Sequence, residues 1–486
     1  AGDLWLVRDR LGKKPLYYWQ SGQRLVFASE LQAVLADPDV PCQPDPSVLP
    51  AYLRWFCVPP PATGFAGIQA LMPGQYLHWR MDGVTTGYHW NPQPQTEPVS
   101  ETDAVAECDR LLKAAVSRRL VADVPLGAFL SGGIDSSLIV SLMAELSPTP
   151  VRTFAVGFTD AAFDERSYAA MIAKQYGTTH TEILVEPNAI DLLEPMIQHT
   201  GAPFADSSLL PLWLLAEQTR KHVTVAVGGD GGDELVAGYE PHGALLWSDP
   251  PPARHWLGGL AASIGGLRAG HRQWDRLARF GRQAAQPTPE RYVGWVARGE
   301  WRAIAPLLRP AVRAALQPEH VDRPLLDTFA GFTGDAVGKA CWTDIRHYLP
   351  DDLLVKADIG TMAHGLEVRS PFLDEELVDF AVRLPQGLRW QGWSGKLLLR
   401  RWGAARLPET LWQRRKQGFA VPLARWFRED LASLAAQELG RADPKGLLDP
   451  VAMLQLLDEH VAGRADHSQL LWALLVWQLW WRRWFG

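Results

Sequence analysis

Residues 125–137 read PLGAFLSGGIDSS. Pro125–Leu130 is an apolar run short enough for a buried strand. It ends at Ser131-Gly132-Gly133, and helix-like sequence follows from Asp135 to Leu146. A strand that feeds a glycine turn and then a helix builds an anion site. The glycines let the backbone approach an anion, and successive N–H groups and the helix N-terminus supply positive potential. Ser131, Ser136 and Ser137 add hydroxyl donors. Asp135 sets a carboxylate beside this anion site, which is unfavourable without a cation between them. Mg²⁺ held by a carboxylate and substrate phosphates meets that need. The Walker A pattern G-x-x-x-x-G-K-[ST] is absent. An ordinary Gly-Ser helix entry has the same composition, so this segment alone leaves both readings open.

Downstream the alternation repeats. Val151–Phe158 reads as a strand, Glu165–Tyr176 as a helix, Thr179–Val185 as a strand, Leu209–Lys221 as a helix and Val223–Val227 as a strand. Strands alternating with helices predict an α/β fold with a parallel sheet covered on both faces. Ligands of such sheets collect at the carboxyl ends of the strands. A second glycine-rich segment, GGDGGDE from Gly228 to Glu234, sits at such an end. Asp233 can supply a second metal ligand that converges with Asp135, and Asp230 is a further carboxylate in the same loop. Asp and Gly also favour plain solvated turns. Beyond about residue 250 the strand signals fade, and the Arg-, Leu- and Trp-rich remainder reads as helical, with no internal repeat.

Upstream, residues 1 to about 90 read as β-rich, with short runs at Leu4–Val7, Leu16–Trp19, Leu25–Ala28 and Gln75–Trp79. Breaks such as Leu11-Gly12 and Met81-Asp82-Gly83 separate them. Asn91–Ser100 carries Pro92, Pro94 and Pro98 in a polar stretch and reads as a linker. This divides the chain into 1–95 and 96–486. At the far end, Leu470–Trp481 is apolar except for Gln478. It is shorter than the roughly 20 residues that cross a bilayer. It predicts a buried C-terminal helix, with Arg482 and Arg483 at its negative end; contact with a partner or a membrane surface is the alternative.

Lys+Arg is 48 and Asp+Glu is 54, a net charge of −6. That excludes a generally basic nucleic-acid binder. With 47% hydrophobic and 21% charged residues, the composition excludes a disordered or fibrous chain. Cys42, Cys57, Cys108 and Cys341 show no C-x-x-C pair and no nearby metal-site His, which points to a reducing, cytoplasmic setting. Ala1–Val7 has no signal-peptide pattern, and its abrupt start reads as a fragment whose first domain is cut.

SGGIDSS followed about 100 residues later by GGDGGDELVAGY resembles the synthetase domain of the glutamine-dependent asparagine synthetases. Three further segments match in order: LPDDLLVKADIGTMAHGLEVRSP at Leu349–Pro371 with Phe372-Leu373-Asp374, the Gly395–Arg400 helix GKLLLR, and Arg415-Lys416-Gln417-Gly418-Phe419. Leu6–Tyr18 and Phe27–Leu31 look like the late part of that family's glutaminase domain. The resemblance implies a parallel-sheet ATP-pyrophosphatase (adenine nucleotide hydrolase-like) synthetase domain with a helical C-terminal part. A partial β-rich N-terminal-nucleophile glutaminase domain precedes it. In that family the nucleophilic cysteine opens the chain; Cys42 and Cys57 follow the matching segment, so glutamine hydrolysis is not expected of the chain as numbered.

The resemblance also implies the reaction and the roles. ATP and a carboxylate, aspartate in the main branch, give an acyl-adenylate and pyrophosphate, and ammonia then yields the amide and AMP. Ser131, Gly132, Gly133, Asp135, Ser136 and Ser137 would hold the ATP phosphates. Phe129 and Val156 would border the adenosine, and Gly228 and Gly229 would approach it from the opposite loop. Asp135 and Asp233 would ligate Mg²⁺. Lys416 would stabilise the α-phosphate, and Asp230 would take the proton of attacking ammonia. Glu367 and Arg369 are read as a buried ion pair supporting the pocket, with a catalytic role for Glu367 kept open. Lys396 is either a nucleotide contact or an exposed helix residue. The acyl pocket would include Pro203–Ser208 (PFADSS), which offers no Arg for an aspartate α-carboxylate. Other carboxylates therefore stay open, as in β-lactam synthetases, lasso-peptide cyclases and cell-surface polysaccharide amidotransferases. So does a non-catalytic nucleotide-binding subunit; a tRNA-modifying relative is disfavoured by the charge. The 22 Trp residues suit extensive contacts within one chain or in a homodimer.

Overall fold

The computed structural model describes residues 2–81, 83–158, 164–185, 189–247, 278, 280–413, 421–441 and 445–486. Asp82 of the first-domain turn and the whole Arg415–Phe419 segment, Lys416 included, lie outside the described residues.

Six short strands build the N-terminal part: β1 (Leu4–Val7), β2 (Tyr17–Ser21), β3 (Arg24–Ala28), β4 (Ile68–Ala70), β5 (Gln75–Arg80) and β6 (Gly83–Tyr88). They form two three-stranded sheets, in the orders β1-β5-β6 and β3-β2-β4. All their pairings are antiparallel. Neither β4 nor β6 was expected. β4 has three residues, and β6 (GVTTGY) has mostly polar side chains and glycine, so tertiary pairing rather than an apolar pattern holds them.

The central sheet has five strands: β7 (Leu126–Phe129), β8 (Arg152–Phe158), β9 (Thr179–Val185), β10 (Val225–Val227) and β11 (Glu367–Arg369). Their order is β11-β10-β7-β8-β9, and every neighbour pairing is parallel. The first four strands and the helices Ile134–Leu146, Arg166–Gln175 and Leu209–Arg220 stand where the alternation predicted, within two residues at each end. β11 corrects the helical reading of the C-terminal part. From β7 the chain runs outward through β8 and β9, then returns to add β10 and β11 on the other side. The reversal lies between β7 and β10, and a crevice opens at such a reversal.

The putting-together of the two parts is tight. Asn91–Ser100, read as a linker, is pinned along its length. Thr96 N–H donates to Thr333 O at 3.0 Å, and Glu97 N–H donates to Arg383 O at 2.9 Å. Ser100 then caps the helix Glu101–Leu120 by accepting from Asp103 N–H. One apolar cluster joins Leu31, Leu49, Tyr52 and Phe65 of the N-terminal part to Leu209 and to the C-terminal helix Ser468–Phe485. Tyr52 donates to Ala473 O at 2.7 Å, and the Trp480 indole donates to Gly201 O at 2.6 Å. Trp472, Trp477 and Trp480 are fully buried, so the Trp-rich end is core as expected. At about 150–250 Å² each and about 25 cal/mol per Å², these three side chains contribute on the order of 10 kcal/mol before ordering entropy. Among the described residues, no helix is long and apolar enough to cross a membrane.

Candidate active site

Gly132 makes the turn after β7 with φ +68°. A Cβ there would lie 2.5 Å from Tyr168 Cβ and 2.7 Å from Ala169 N, so only glycine lets the neighbouring helix pack this close. Gly133 caps the helix Ile134–Leu146 with its backbone alone, which leaves the N-terminal donors without a side-chain cap. Ser131 Oγ accepts from Gly133 N–H at 3.3 Å and lies 3.1 Å from Ser136 Oγ. Ser137 is fully buried, below the loop surface. Val156 belongs to an apolar cluster with Phe154 and Ile183, against which Phe129 packs, so the two residues expected at the adenosine share one wall.

The loop after β10 closes against this turn. A Cβ at Gly229 would lie 3.0 Å from Ser136 N, and one at Gly232 would lie 2.7 Å from Asp135 Cγ. A Cβ at Gly228 would meet Asp230 Oδ2 at 2.9 Å. Gly229 and Gly232 thus bring the two loops into close backbone contact across the crevice, while Gly132 lets the helix Arg166–Gln175 pack against the turn.

Lys396 is the residue whose place the sequence left undecided. Its ammonium pairs with Asp233 Oδ1 at 2.7 Å and with Asp135 Oδ2, and its side chain is only 9% exposed. Burial alone would lower its pKa, but the two carboxylates overcome that and hold it above the ordinary lysine value. Its backbone is left-handed, at φ 56°, and is fixed by the Lys396 N–H bond to Val236 O at 3.1 Å. A non-glycine residue there carries about 1–2 kcal/mol of strain. Asp135 and Asp233 therefore converge on one cation position, and that position holds an ammonium from a distant helix. The donor set is all oxygen and hard, which suits Mg²⁺ beside phosphates. Among the described residues there is no cluster of three His, Cys, Asp or Glu that could hold a metal without other ligands.

Asp230 is partly buried, and Ser370 Oγ donates to its Oδ2 at 3.4 Å. Burial raises its pKa above the ordinary carboxylate range, against the lowering influence of Lys356. A carboxylate so placed takes up a proton more readily than a solvated one. Glu367 and Arg369 pair at 2.7 Å, but the Glu367 side chain is 47% exposed. The expected buried pair is thus a rim pair, because β11 is the edge of the sheet. Arg369 also donates to Arg119 O at 3.0 Å and Val121 O at 2.7 Å. Both side chains line a cavity of about 570 Å³ between the central sheet and the N-terminal residues Asp9, Lys13 and Lys14.

A parallel sheet with a phosphate-type turn and paired carboxylates at its reversal point has the form of a nucleotide-dependent synthetase site. The particular family follows from comparison with known proteins. Residues 107–482 match the family model for asparagine synthase, and residues 1–90 match that for a glutamine amidotransferase domain. Asparagine synthetase [glutamine-hydrolyzing] 1 of Bacillus subtilis is 30% identical over 98% of this chain and 75% of its own length. Asparagine synthetase [glutamine-hydrolyzing] 3 of the same organism is 28% identical over 86% of this chain and 64% of its own. Amidase chyE of Penicillium rubens is 26% identical over 79% of this chain and 61% of its own. The chain belongs to the asparagine synthase family and is an ATP-dependent ligase.

Proposed function

We propose that the chain adenylates aspartate with ATP and passes the activated acyl group to ammonia, giving asparagine, AMP and pyrophosphate. The supporting observation is the convergence of Asp135 and Asp233 on one cation position at the mouth of the Ser131–Ser137 turn. The strand order and its reversal support reading the sheet as an ATP-pyrophosphatase domain.

A free carboxylate is a poor acyl donor because its leaving group would be oxide. In the first step a carboxylate oxygen bonds the α-phosphorus, and the bond to pyrophosphate breaks. Ser131, Gly132, Gly133 and Ser136 would cradle the phosphates through N–H and hydroxyl groups. Mg²⁺ held by Asp135 and Asp233 would neutralise phosphate charge. Lys396 would hold the two carboxylates in register, and Lys416 would meet charge growing on the α-phosphate. Phe129 and Val156 would face the adenosine, with Gly228 and Gly229 opposite. In the second step nitrogen bonds the acyl carbon, the bond to AMP breaks, and Asp230 takes the surplus proton. Its raised pKa suits this duty.

The test is pyrophosphate release from ATP, Mg²⁺, ammonium and a panel of carboxylates. Aspartate should give release and an equal yield of asparagine, and Asp135→Asn should abolish both. Release with a different carboxylate only would move the reading to another amide. Release with none would favour a nucleotide-binding subunit without catalysis.

A further inference from the structure

Within electrostatic reach of Asp230 lies a second charged cluster, assembled from three separate stretches of chain. Asp206 and Ser208 come from the Pro203–Ser208 segment. Lys356 comes from the helix Leu354–Met362, and Asp352 from the π-helical turn Leu349–Leu353 just before it. Arg298 follows the helix Thr288–Val296. A π-turn inside a helical run is a feature that recurs at functional sites.

The pairings are specific. Lys356 Nζ lies 2.9 Å from Asp206 Oδ2 and donates to Ser208 Oγ at 2.9 Å. Ser208 returns a hydroxyl bond to Asp206 Oδ1 at 2.7 Å. Arg298 donates to the Tyr348 hydroxyl at 2.9 Å and to Asp352 Oδ2 at 3.3 Å. The other oxygen, Asp352 Oδ1, is buried, and no donor reaches it among the described residues. The Asp352 side chain is only 6% exposed. Burial and the neighbouring Asp206 carboxylate push its pKa up to about 7. Two carboxylates thus face each other with only a shared proton to pair them when no ligand cation is present, while a lysine ammonium stands alongside.

Buried charges of this kind add little to stability, since well-packed apolar residues of the same volume do as well or better. A buried acceptor left without a ligand donor costs more still. The cluster makes physical sense when a ligand brings both a cation and an anion. The α-carbon of a free amino acid carries that combination, an ammonium and a carboxylate on one atom. An anionic ligand alone would satisfy Lys356 but leave the two carboxylates worse off.

We propose that Asp206 and Asp352 receive the α-ammonium, and Lys356 the α-carboxylate, of the acyl donor. The site would then select a zwitterionic α-amino acid over a plain dicarboxylic acid. Arg298 is a positioning residue that holds Asp352 by its far oxygen. The missing arginine of the PFADSS segment is replaced by a lysine about 150 residues further along the chain. The assignment of this ligand as the acyl donor rests on the acyl-adenylating reading above.

The experiment is calorimetric titration of the full chain, loaded with Mg²⁺ and a non-hydrolysable ATP analogue. The probes are L-aspartate against succinate, and L-glutamate against glutarate. One amino acid should bind at least about 100-fold more tightly than its amine-free counterpart, because the analogue leaves buried acceptors unpaired. Asp352→Asn and Lys356→Gln should each weaken that amino acid at least 30-fold, about 2 kcal/mol by the tenfold-per-1.4 kcal/mol relation. The nucleotide analogue should bind within twofold of its wild-type affinity. Succinate or glutarate binding as tightly as its amino acid would overturn the proposal, as would no binding of either amino acid. If a variant does not fold, the wild-type ligand series still decides. Pyrophosphate release, measured in parallel, separates the two readings. Amino-acid binding without release would sink the adenylation reading and leave this subsite standing.

Discussion

Two regions of the molecule hold acidic side chains next to basic ones, and they treat them in opposite ways. At the sheet's reversal point Lys396 is enclosed between Asp135 and Asp233, with side chains 9%, 15% and 16% exposed. At the seam with the N-terminal part, Glu367 and Arg369 pair just as closely but stand at the open wall of a cavity, 47% and 23% exposed. The chemistry is the same and the dielectric is not. An enclosed charge must keep a partner, so its geometry is fixed. A rim charge can trade its partner for water at little cost. The reversal point is therefore the place for alignment, and the seam is the place for side chains that respond to what passes.

The largest effect should come from emptying the enclosed centre. Lys396→Met leaves Asp135 and Asp233 facing each other, which should cost about 3–5 kcal/mol in urea denaturation. Pyrophosphate release should fall by roughly 10²–10³ as the two ligands lose register. Added Mg²⁺ should stabilise the variant more than the wild type, because a divalent ion can replace the lost ammonium. The wild-type contribution has a definite pH sign. A lysine pKa held above its ordinary value gives stability that is full below that ordinary value and is lost only as pH rises through the folded-state value. The difference between Lys396→Met and wild type should therefore stay constant from about pH 6 to about pH 9. Equal Mg²⁺ responses in the two proteins would break the contrast between the regions.

Next comes the turn that aligns the enclosed centre. Gly132→Ala forces a Cβ to 2.5 Å from Tyr168 Cβ at a left-handed backbone. The conformational term of about 1–2 kcal/mol and the overpacking term of about 1–3 kcal/mol should together destabilise the chain by about 2–5 kcal/mol. Denaturant midpoints check it, and ATP affinity should fall with them.

These two positions also show what could be read from the sequence. The turn and its strand were legible because everything that makes them is contiguous: an apolar run, two glycines and a buried apolar helix. The same holds for β8 to β10 and for the buried C-terminal helix. β11 was not legible, since Glu367-Val368-Arg369 has no apolar pattern and is a strand only because β10 offers an edge. Lys396 was legible as a motif but not as a position. It reaches Asp135 across 261 residues of sequence, and no local periodicity reports such a distance. The Asp206, Asp352, Lys356 and Arg298 cluster shares that difficulty. The rim position of Glu367 is hidden from the sequence for a related reason: spacing fixes that two charges are neighbours, not how much water surrounds them.

A smaller effect should appear at the seam, where charge meets burial without full pairing. Asp351 is pushed up to about 8, first by burial and against the lowering influence of Arg8. Its folded-state pKa lies above the unfolded value near 3.9, so the native chain keeps a proton that the unfolded chain releases. Stability should therefore fall as pH rises from about 4 to about 8, by at most about 1.4 kcal/mol per pH unit for this proton. Asp351→Asn removes that loss. Its stability relative to wild type should rise between pH 5 and pH 8 by about 1 kcal/mol or more, read from urea midpoints at the two values. A flat difference would place Asp351 with the rim charges instead.

The smallest effect on folding belongs to Glu367→Gln. The Glu367–Arg369 pair is exposed enough for solvent to screen it, and Arg369 keeps its bonds to Arg119 O and Val121 O without the carboxylate. The variant should lose less than about 1 kcal/mol in urea denaturation. Its kinetic effect is the informative part, because β11 runs from Glu367 directly to Ser370, which holds Asp230 at 3.4 Å. If Glu367 only shapes the seam, pyrophosphate release and amide formation should fall together or not at all. If it handles the incoming nitrogen nucleophile, adenylation should persist while amide yield per pyrophosphate drops about 10–100-fold, within the usual range for losing a positioned proton-transfer group. We expect the first pattern, since Asp230 is the proton acceptor proposed above and Glu367 is a rim charge paired with Arg369. A stability loss as large as that of Lys396→Met would show that Glu367 is enclosed after all, and the distinction between the two regions would fall with it.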